Sequence, residues 1–536
     1  MNKACKPEDA IAPEPYVTKV PMLVRSKDKE STEMVDHSFL LPTDWLASAS
    51  KDKGAMDAVF NTGQVCTFWN NHRSDDPKLY NNPVTQVSNY KAKMVPMLLH
   101  GDGGQFQRRD SLNVISLQSL LSKANAYLKF MLLTAVPKRC TAVDKTNPVH
   151  DTMTAIWEVL VWNLNFAFQG IHPATDHKGN PWPRGSPRAK LAGKKSYESY
   201  GLWIFGINPD LEYMQNQFKL KCHSFANCCW ICPANKSDVP YTDSSPFAKW
   251  RRLVYTVMQN REKPATSHQV MNIRGVVNET FCFETLHTNE LGVTVNYIGN
   301  VFWDQVYDRY AEGATLATRL SNLWKSVMEK YTEFKVQSSD RIGKLTLEMF
   351  ADPDAPRKSY PVLSQCKAYH VKCLLPIAVS LCTDHHEKEP STYMEHCCRA
   401  GESLCDMNKI MQSAGMHPNR EERINFRQAV DTFQVHYAAL AADSQVRGLK
   451  KWNTTPKFHY NAHSPDFFDY LNVYYTSAYG AETEVGIICA LGHRCLDGTP
   501  AHRVSKKLVL KYRLGQHIRL SNKYDIDVEA HLLALD

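Results

Sequence analysis

Every segment of this chain that reads as a β-strand lies between residues 94 and 208, and the stretch from 301 to about 450 carries helical periodicity. Met94–Leu99 (MVPMLL) is a short apolar run of buried-strand type, 112–119 (LNVISLQS) alternates with a period of two, and 201–208 (GLWIFGIN) is a second buried run. Residues 126–136 (AYLKFMLLTAV) fit either a third strand or a buried helix. Between the strands, 151–170 reads as a helix with Asp151 as N-cap and Gly170 as C-cap, and Pro209 suits the start of a helix over 210–220. Apolar spacing of three and four then runs through 315–334, 393–413 and 420–442, with a last helix at about 481–496. The fold class is therefore α/β with a large helical insertion: one sheet early, a helical block, and a late amphipathic helix.

Around these elements, residues 1–35 are polar and read as a poorly ordered tail, and 36–93 form an N-terminal segment without a readable role. Residues 94–235 are expected to hold the first part of the sheet core with a cysteine cluster, 236–450 the mainly helical insertion, 451–524 the last part of the core with a basic tail at 502–524, and 525–536 a C-terminal tail. The 536 residues carry a net charge of +8, which is compatible with nucleic acid. The N-terminal MNKACKPEDA has no apolar signal region and no apolar run approaches 18 residues, so neither a signal peptide nor a membrane span is expected. The 16 cysteines then read as reduced thiols.

Two acids follow predicted strands: Asp102, in the glycine-rich HGDGG, and Asp210, after GLWIFGIN. Side chains at strand ends of an α/β sheet point into the crevice where ligands bind, and converging carboxylates suit Mg²⁺. Alone, each is equally a turn or capping acid. A phosphate-binding loop is excluded at HGDGG, because no G-K-[ST] follows and the next segment reads as a strand. The glycines are expected to leave room beside Asp102 for a metal and its ligands to approach the backbone. On the late helix, Glu482, Val485, Cys489 and Gly492 share one stripe, with Glu484 on the neighbouring face as the fallback acid.

Cys229-x-x-Cys232 has zinc-site spacing, with Cys222, His223 and Cys228 in reach; buried thiols are the alternative. Glu284-x-x-His287 reads as a capping or packing pair, and TPKFHYNAH supplies His459 and His463. Arg184, Arg188, Lys190, Lys194 and Lys195 fall in an acid-free loop, a candidate phosphate-backbone patch or a solvated basic loop, and Arg503, Lys506 and Lys507 open the basic tail.

In order, HGDGG, INPDLEYM, CCWICPAN, FETLHTNELG, TPKFHYNAH and AETEVG resemble the motif series of DDE-type DNA transposases of the CACTA and Kyakuja-Dileera-Zisupton group, in particular the related open reading frames of dinoflagellate genomes. The resemblance covers roughly residues 90 to 520. It implies an RNase H-like mixed sheet interrupted by a mostly α-helical block, with Asp102, Asp210 and Glu482 (or Glu484) as the triad that binds two Mg²⁺ or Mn²⁺. The implied activity is phosphodiester cleavage and strand transfer on transposon ends and target DNA, in the nucleus, by a chain that pairs with further copies of itself and carries structural Zn²⁺. His287 would be the histidine of the family's [Asp/Cys]-x-x-His element, where this chain has Glu284. It also lacks a recognisable N-terminal DNA-binding finger. Those departures favour a second reading, a catalytically inactive, transposase-derived DNA-binding protein; a third is a zinc-stabilised helical scaffold in which the acids are incidental.

Overall fold

Around His100 the longest strand loses one of its two neighbours, and this sets the geometry of the molecule's sheet. The computed structural model describes residues 11–25, 30–144, 151–222, 224–308 and 310–521. It divides into two units: a sheet unit, formed by the chain up to Leu220, Thr256–Cys282 and the segment from Ala478 onward, and a helical unit, formed by Lys221–Tyr255 and Phe283–Ser477.

In the sheet unit, β1 (Tyr16–Arg25) and β2 (Glu30–Phe39) pair as an antiparallel hairpin. This corrects the expectation of a poorly ordered tail over 1–35; residues 1–10 and 26–29 lie outside the described residues. The hairpin's inner positions, Val20 and Met22, are buried while Val17 is exposed, so half-exposed strands read as a polar tail by composition. Residues 36–93 continue β2 and add short helices to the same unit, with the Trp69 indole donating to the Met94 carbonyl at 2.8 Å.

The main sheet has the order β5-β4-β3-β6, made of β3 (Met94–Gln107), β4 (Asp110–Ser119), β5 (Phe130–Pro137) and β6 (Gly201–Ile207). The first three are antiparallel, and β6 runs parallel to β3. Residues 126–136 thus resolve into one helical turn at Ala126–Lys129 and then a strand. β3 does not stop at Leu99: it stays paired with β4 through the glycines to Gln107, whereas its ladder with β6 ends at Leu99–Ile207. Asp102 is therefore inside a strand, opposite Val114, at the level where the β6 chain has turned away.

Helices flank this sheet. α1 (Thr152–Gln169) is N-capped by Asp151 and ended by Gly170 with φ +64°. α2 (Leu211–Asn216) follows β6. The helical unit comprises a π-helical segment (Leu286–Thr294), then α3 (Val295–Tyr307), α4 (Leu316–Glu333), α5 (Ala368–Lys388), α6 (Thr392–Ser413), α7 (Arg420–Val446) and α8 (Pro456–Phe468). Its core buries Trp303, Tyr297, Val371, Leu404, Phe433 and Trp452. α9 (Tyr479–Arg494) and α10 (Val504–Ser521) return to the sheet unit. The basic segment at 502–521 is thus a packed helix rather than a tail: Leu508, Val509 and Tyr512 are buried, and the Tyr512 hydroxyl donates to the Phe130 carbonyl at 2.9 Å. Residues 525–536 lie outside the described residues.

The sequence-based boundaries shift accordingly. The cysteine segment belongs to the helical unit and not to the sheet core, as do residues 451–477, while Thr256–Cys282 belongs to the sheet unit. The reason is local: the Tyr460 hydroxyl of α8 donates to the Cys228 carbonyl at 2.7 Å, and Trp230 packs on Phe283 and Tyr460.

Candidate metal centres

The helical unit holds the more enclosed cluster. Cys229, Cys232, His459 and His463 are all buried, and one ligand atom from each lies within 4.8 Å of the others. His459 and His463 are four residues apart on α8, so both rings leave the same helix face. Cys229 and Cys232 come from the 221–235 loop, whose turn is held by the Cys228 amide donating to the Ala234 carbonyl at 3.2 Å. Cys232 Sγ sits 3.3 Å from His459 Nε2. His463 Nδ1 lies 2.9 Å from the Asp466 carboxylate, which places a proton on Nδ1 and leaves the buried Nε2 to face Cys229. A carboxylate behind a histidine is the usual outer partner of a metal-binding imidazole. Trp250 closes the site, its ring 4.4 Å from His459 and 4.7 Å from His463.

The electrostatics agree. Burial alone would push the Cys229 thiol up, but contacts with Cys232, His459 and His463 pull it well below the ordinary thiol range. Burial, reinforced by the charge on Cys229, drives Cys232 the other way. His463 is raised to about 9: burial opposes its charge, and the Asp466 and Cys229 contacts outweigh burial. Four such side chains can hold a metal such as Zn²⁺.

Sequence spacing identifies half of this set. Cys229 and Cys232 belong to it, but the other named zinc candidates are not in the cluster. Cys228 turns its thiol toward the Ala234 carbonyl at 3.7 Å, and burial raises it to about 12. Cys222 is buried outside the cluster, and His223 lies outside the described residues. The completing histidines come from the TPKFHYNAH segment. Glu284 and His287 form a capping pair: the Glu284 carboxylate accepts from the Leu286 and His287 amides at 2.8 and 2.9 Å and contacts His287 Nδ1 at 2.8 Å. That opens the π-helical segment, as the capping reading anticipates.

The second cluster is in the sheet unit. His100 and Asp102, two residues apart on β3, share a sheet face, and Glu482 in the first turn of α9 meets them; one ligand atom from each lies within 4.8 Å of the others. Glycines decide how close α9 comes. A Cβ at Gly104 would sit 2.4 Å from Cys489 Sγ and 2.6 Å from Val485, and one at Gly492 would sit 2.5 Å from Leu112. The stripe Val485–Cys489–Gly492 is thus pressed on β3 and β4, and Glu482 extends that stripe toward Asp102. At Gly101 a Cβ would strike the Tyr213 ring at 2.4 Å. This corrects the expected role of the glycines: Gly101 and Gly104 seat a tyrosine and a helix, while Gly103 alone keeps space, with its nearest neighbour 3.8 Å from a would-be Cβ.

Asp210 stands where the β6 chain turns off, as the N-cap of α2, its Oδ1 accepting from the Tyr213 amide at 2.5 Å. It is outside the 4.8 Å group of His100, Asp102 and Glu482, and its role in the structure is that of the capping acid. Burial and then the charges of Asp102 and Asp210 hold the Tyr213 hydroxyl protonated far above its ordinary value, and that hydroxyl is buried without a partner. Asp102 Oδ1 accepts from the Gly103 amide at 2.6 Å, and its charge adds to burial in raising Cys489 to about 12. The fallback acid goes elsewhere. Glu484 is buried, raised to about 8 by desolvation, with the Ser116 hydroxyl only partly offsetting it and no hydrogen bond of normal geometry to either oxygen. His100 is the member that sequence reasoning missed; its place two residues before Asp102 on one strand face was the available signal.

Of the basic residues, Arg184, Lys190, Lys194 and Lys195 are exposed. Arg188 is not an open phosphate contact. It donates to Asp44 at 2.7 and 2.9 Å and to the Glu14 carbonyl at 2.8 Å. Arg503 and Lys506 are exposed, and Lys507 reaches the Asp497 carbonyl at 3.3 Å. Among the described residues no helix is long and apolar enough to cross a membrane. No protein-family model matches this chain, and no curated protein matches it.

Proposed function

We propose that this protein is a metal-dependent DNA phosphodiester-processing enzyme of the DDE transposase type, with an RNase H-like core in the sheet unit. One observation carries the reading: Asp102 from β3 and Glu482 from a helix near the chain's other end bring their oxygens within 4.8 Å, over a β5-β4-β3-β6 sheet whose parallel neighbour strand is followed by Asp210. Asp102 and Glu482 would hold Mg²⁺ or Mn²⁺, with Asp210 as the third acid beside them. Such ions would supply charge stabilisation for the phosphoryl group and an activated water or 3′-hydroxyl. The chain's own part is positional: the ladder to β4 fixes Asp102, and the glycine-seated α9 fixes Glu482. The exposed Lys190, Lys194 and Lys195 are available to phosphates, and a nuclear location goes with the DNA reading as part of the same proposal. In the helical unit, the four buried ligands fit a structural Zn²⁺ with no open position.

The test is cleavage of supercoiled DNA and of labelled duplex by the full chain with Mg²⁺ or Mn²⁺. Activity in the parent and its loss, by at least about a hundredfold, in Asp102→Asn, Asp210→Asn and Glu482→Gln is the expected result, the scale of removing a group that acts on the transition state. Equal activity in parent and variants overturns the triad. DNA binding with no cleavage under either metal leaves the binding-only alternative instead.

A further inference from the structure

We infer that His100 is a direct ligand in the Asp102–Glu482 centre, which makes it a mixed nitrogen-and-oxygen site selective for a divalent transition metal such as Mn²⁺ over Mg²⁺. This rests on the proposed metal role of that site and adds to it a ligand that the acidic triad does not contain.

Three features carry it. His100 is 1% exposed, and one of its ring nitrogens belongs to the group whose ligand atoms all lie within 4.8 Å of one another. Its Nδ1 is 3.0 Å from the Asn208 carbonyl oxygen. A carbonyl has no proton to give, so Nδ1 carries the hydrogen and Nε2 the lone pair. That is the tautomer a metal requires, held by the outer-shell contact that commonly orients ligating histidines. The Asn208 carbonyl is itself fixed, because the Asn208 amide donates to the Leu99 carbonyl at 3.1 Å, one step beyond the β3–β6 ladder. The imidazole is thus anchored to the strand that also carries Asp102.

The chemistry follows from ligand type. Mg²⁺ is a small hard cation that takes oxygen ligands and keeps its waters. Imidazole is a softer donor, and affinity for nitrogen-containing sites rises from Mn²⁺ through the later first-row metals. Exchanging one oxygen for Nε2 therefore costs Mg²⁺ more than Mn²⁺.

The experiment uses the full chain with its Cys/His cluster loaded with zinc, so that Mn²⁺ reports only on the sheet unit. Mn²⁺ is titrated by electron paramagnetic resonance, in competition with Mg²⁺, and the bound ion is examined by electron spin echo envelope modulation for coupling to a histidine nitrogen. We expect that coupling in the parent and a Mn²⁺ preference of at least about tenfold over Mg²⁺. His100→Gln should abolish the coupling and weaken Mn²⁺ by about tenfold or more, the scale on which even partners of ligands act, with Mg²⁺ changed less than about twofold. Bound Mn²⁺ without nitrogen coupling in the parent overturns the inference and needs no variant to fold. Failure of the DNA reading looks different: nitrogen-coupled Mn²⁺ is present, but no DNA is cut. Absence of any Mn²⁺ binding while Mg²⁺ supports cleavage removes the inference and leaves the DNA reading standing.

Discussion

The two clusters of candidate metal ligands are assembled in the same way and enclosed to different degrees. Each joins two residues close together in one segment to residues far away in sequence. In the helical unit the set is two thiols and two imidazoles, all buried, backed by Asp466 and capped by Trp250. In the sheet unit it is one imidazole and two carboxylates, with Asp102 and Glu482 half-buried at the level where β3 has lost its β6 neighbour. Four enclosed thiol and imidazole ligands would complete a coordination sphere; three ligands at an open edge would leave room in one. A closed site puts binding energy into folding, and an open one makes it available to a substrate.

The comparison breaks most readily at Cys229. Cys229→Ser removes a ligand from the closed set and leaves Cys232, His459 and His463 buried around nothing that can balance them. Zinc should fall from about one per chain, the content a four-ligand site dictates, to a small fraction of that by elemental analysis. Melting of the helical unit should drop by about 10 °C or more, since metal binding in small zinc-folded units contributes on the order of 10 kcal/mol. A zinc-free parent with unchanged melting would show the cluster to be buried thiols only.

The open site should respond with the opposite sign. Without metal, Asp102 and Glu482 repel across less than 4.8 Å. Asp102→Asn keeps an oxygen for the Gly103 amide and relieves that repulsion. We expect metal affinity to fall by at least about a hundredfold while metal-free stability rises by about 1 kcal/mol, the usual exchange of function for stability, seen as a Tm increase of about 2–4 °C. A fall in both would make Asp102 a structural acid.

The same helix supplies an internal control. Glu484 lies two residues from Glu482 but is buried, so the pair separates a site acid from a core acid. With its carboxyl raised from 4.5 to about 8, the folded chain holds a proton between those values that the unfolded chain has released. Stability attributable to Glu484 is therefore full below about pH 4.5, declines as pH rises through that window and levels off above about 8, at most about 1.4 kcal/mol per pH unit. Glu484→Gln should flatten that slope in denaturant titrations, stabilise the chain above pH 8 and leave Mn²⁺ affinity within about twofold. Glu482→Gln should leave that slope in place and weaken Mn²⁺ by at least about a hundredfold, the scale set for Asp102→Asn.

These contrasts also mark what the sequence could disclose. The order of strands between 94 and 207 and of the helices after 301 was legible because apolar period survives in a single chain, and Asp102, Cys229 and Cys232 were legible as cluster members because each carries a local signal. The completed clusters were not. His459 and His463 meet Cys229 and Cys232 only through the packing of α8 on the cysteine loop, and no spacing rule spans that distance. Glu482 and Glu484 differ by two positions on one helix, and what separates them is which face the glycines at 104 and 492 press against the sheet. The hairpin at 16–39 was hidden because composition averages its two faces. His100 was passed over because a histidine beside glycines looks like loop, although β3 runs straight through it.

The smallest effects separate the basic residues, where sequence treated five as equals. Arg188 lies over the Tyr16 and Trp182 rings at 5.5 and 5.6 Å and pairs with Asp44, whose carboxyl burial pushes up against the pull of that guanidinium. Removing Arg188 leaves Asp44 buried without its partner, a loss of about 1–3 kcal/mol that denaturant unfolding would register. Lys194 and Lys195 have exposed side chains on a loop whose backbone is tied down, with the Lys194 carbonyl accepting from the His172 amide at 2.8 Å and Ile171 bridging Lys195. Neutralising both should therefore spare the fold. It should weaken DNA binding equally across sequences and make the dependence of log K on log salt shallower by about 2, close to one for each phosphate that no longer meets a lysine charge. Arg188→Ala should leave that slope where it is. If Arg188→Ala flattens the slope and the double lysine variant does not, the phosphate contacts run through the Asp44 pair, and the exposed lysines are solvated charge.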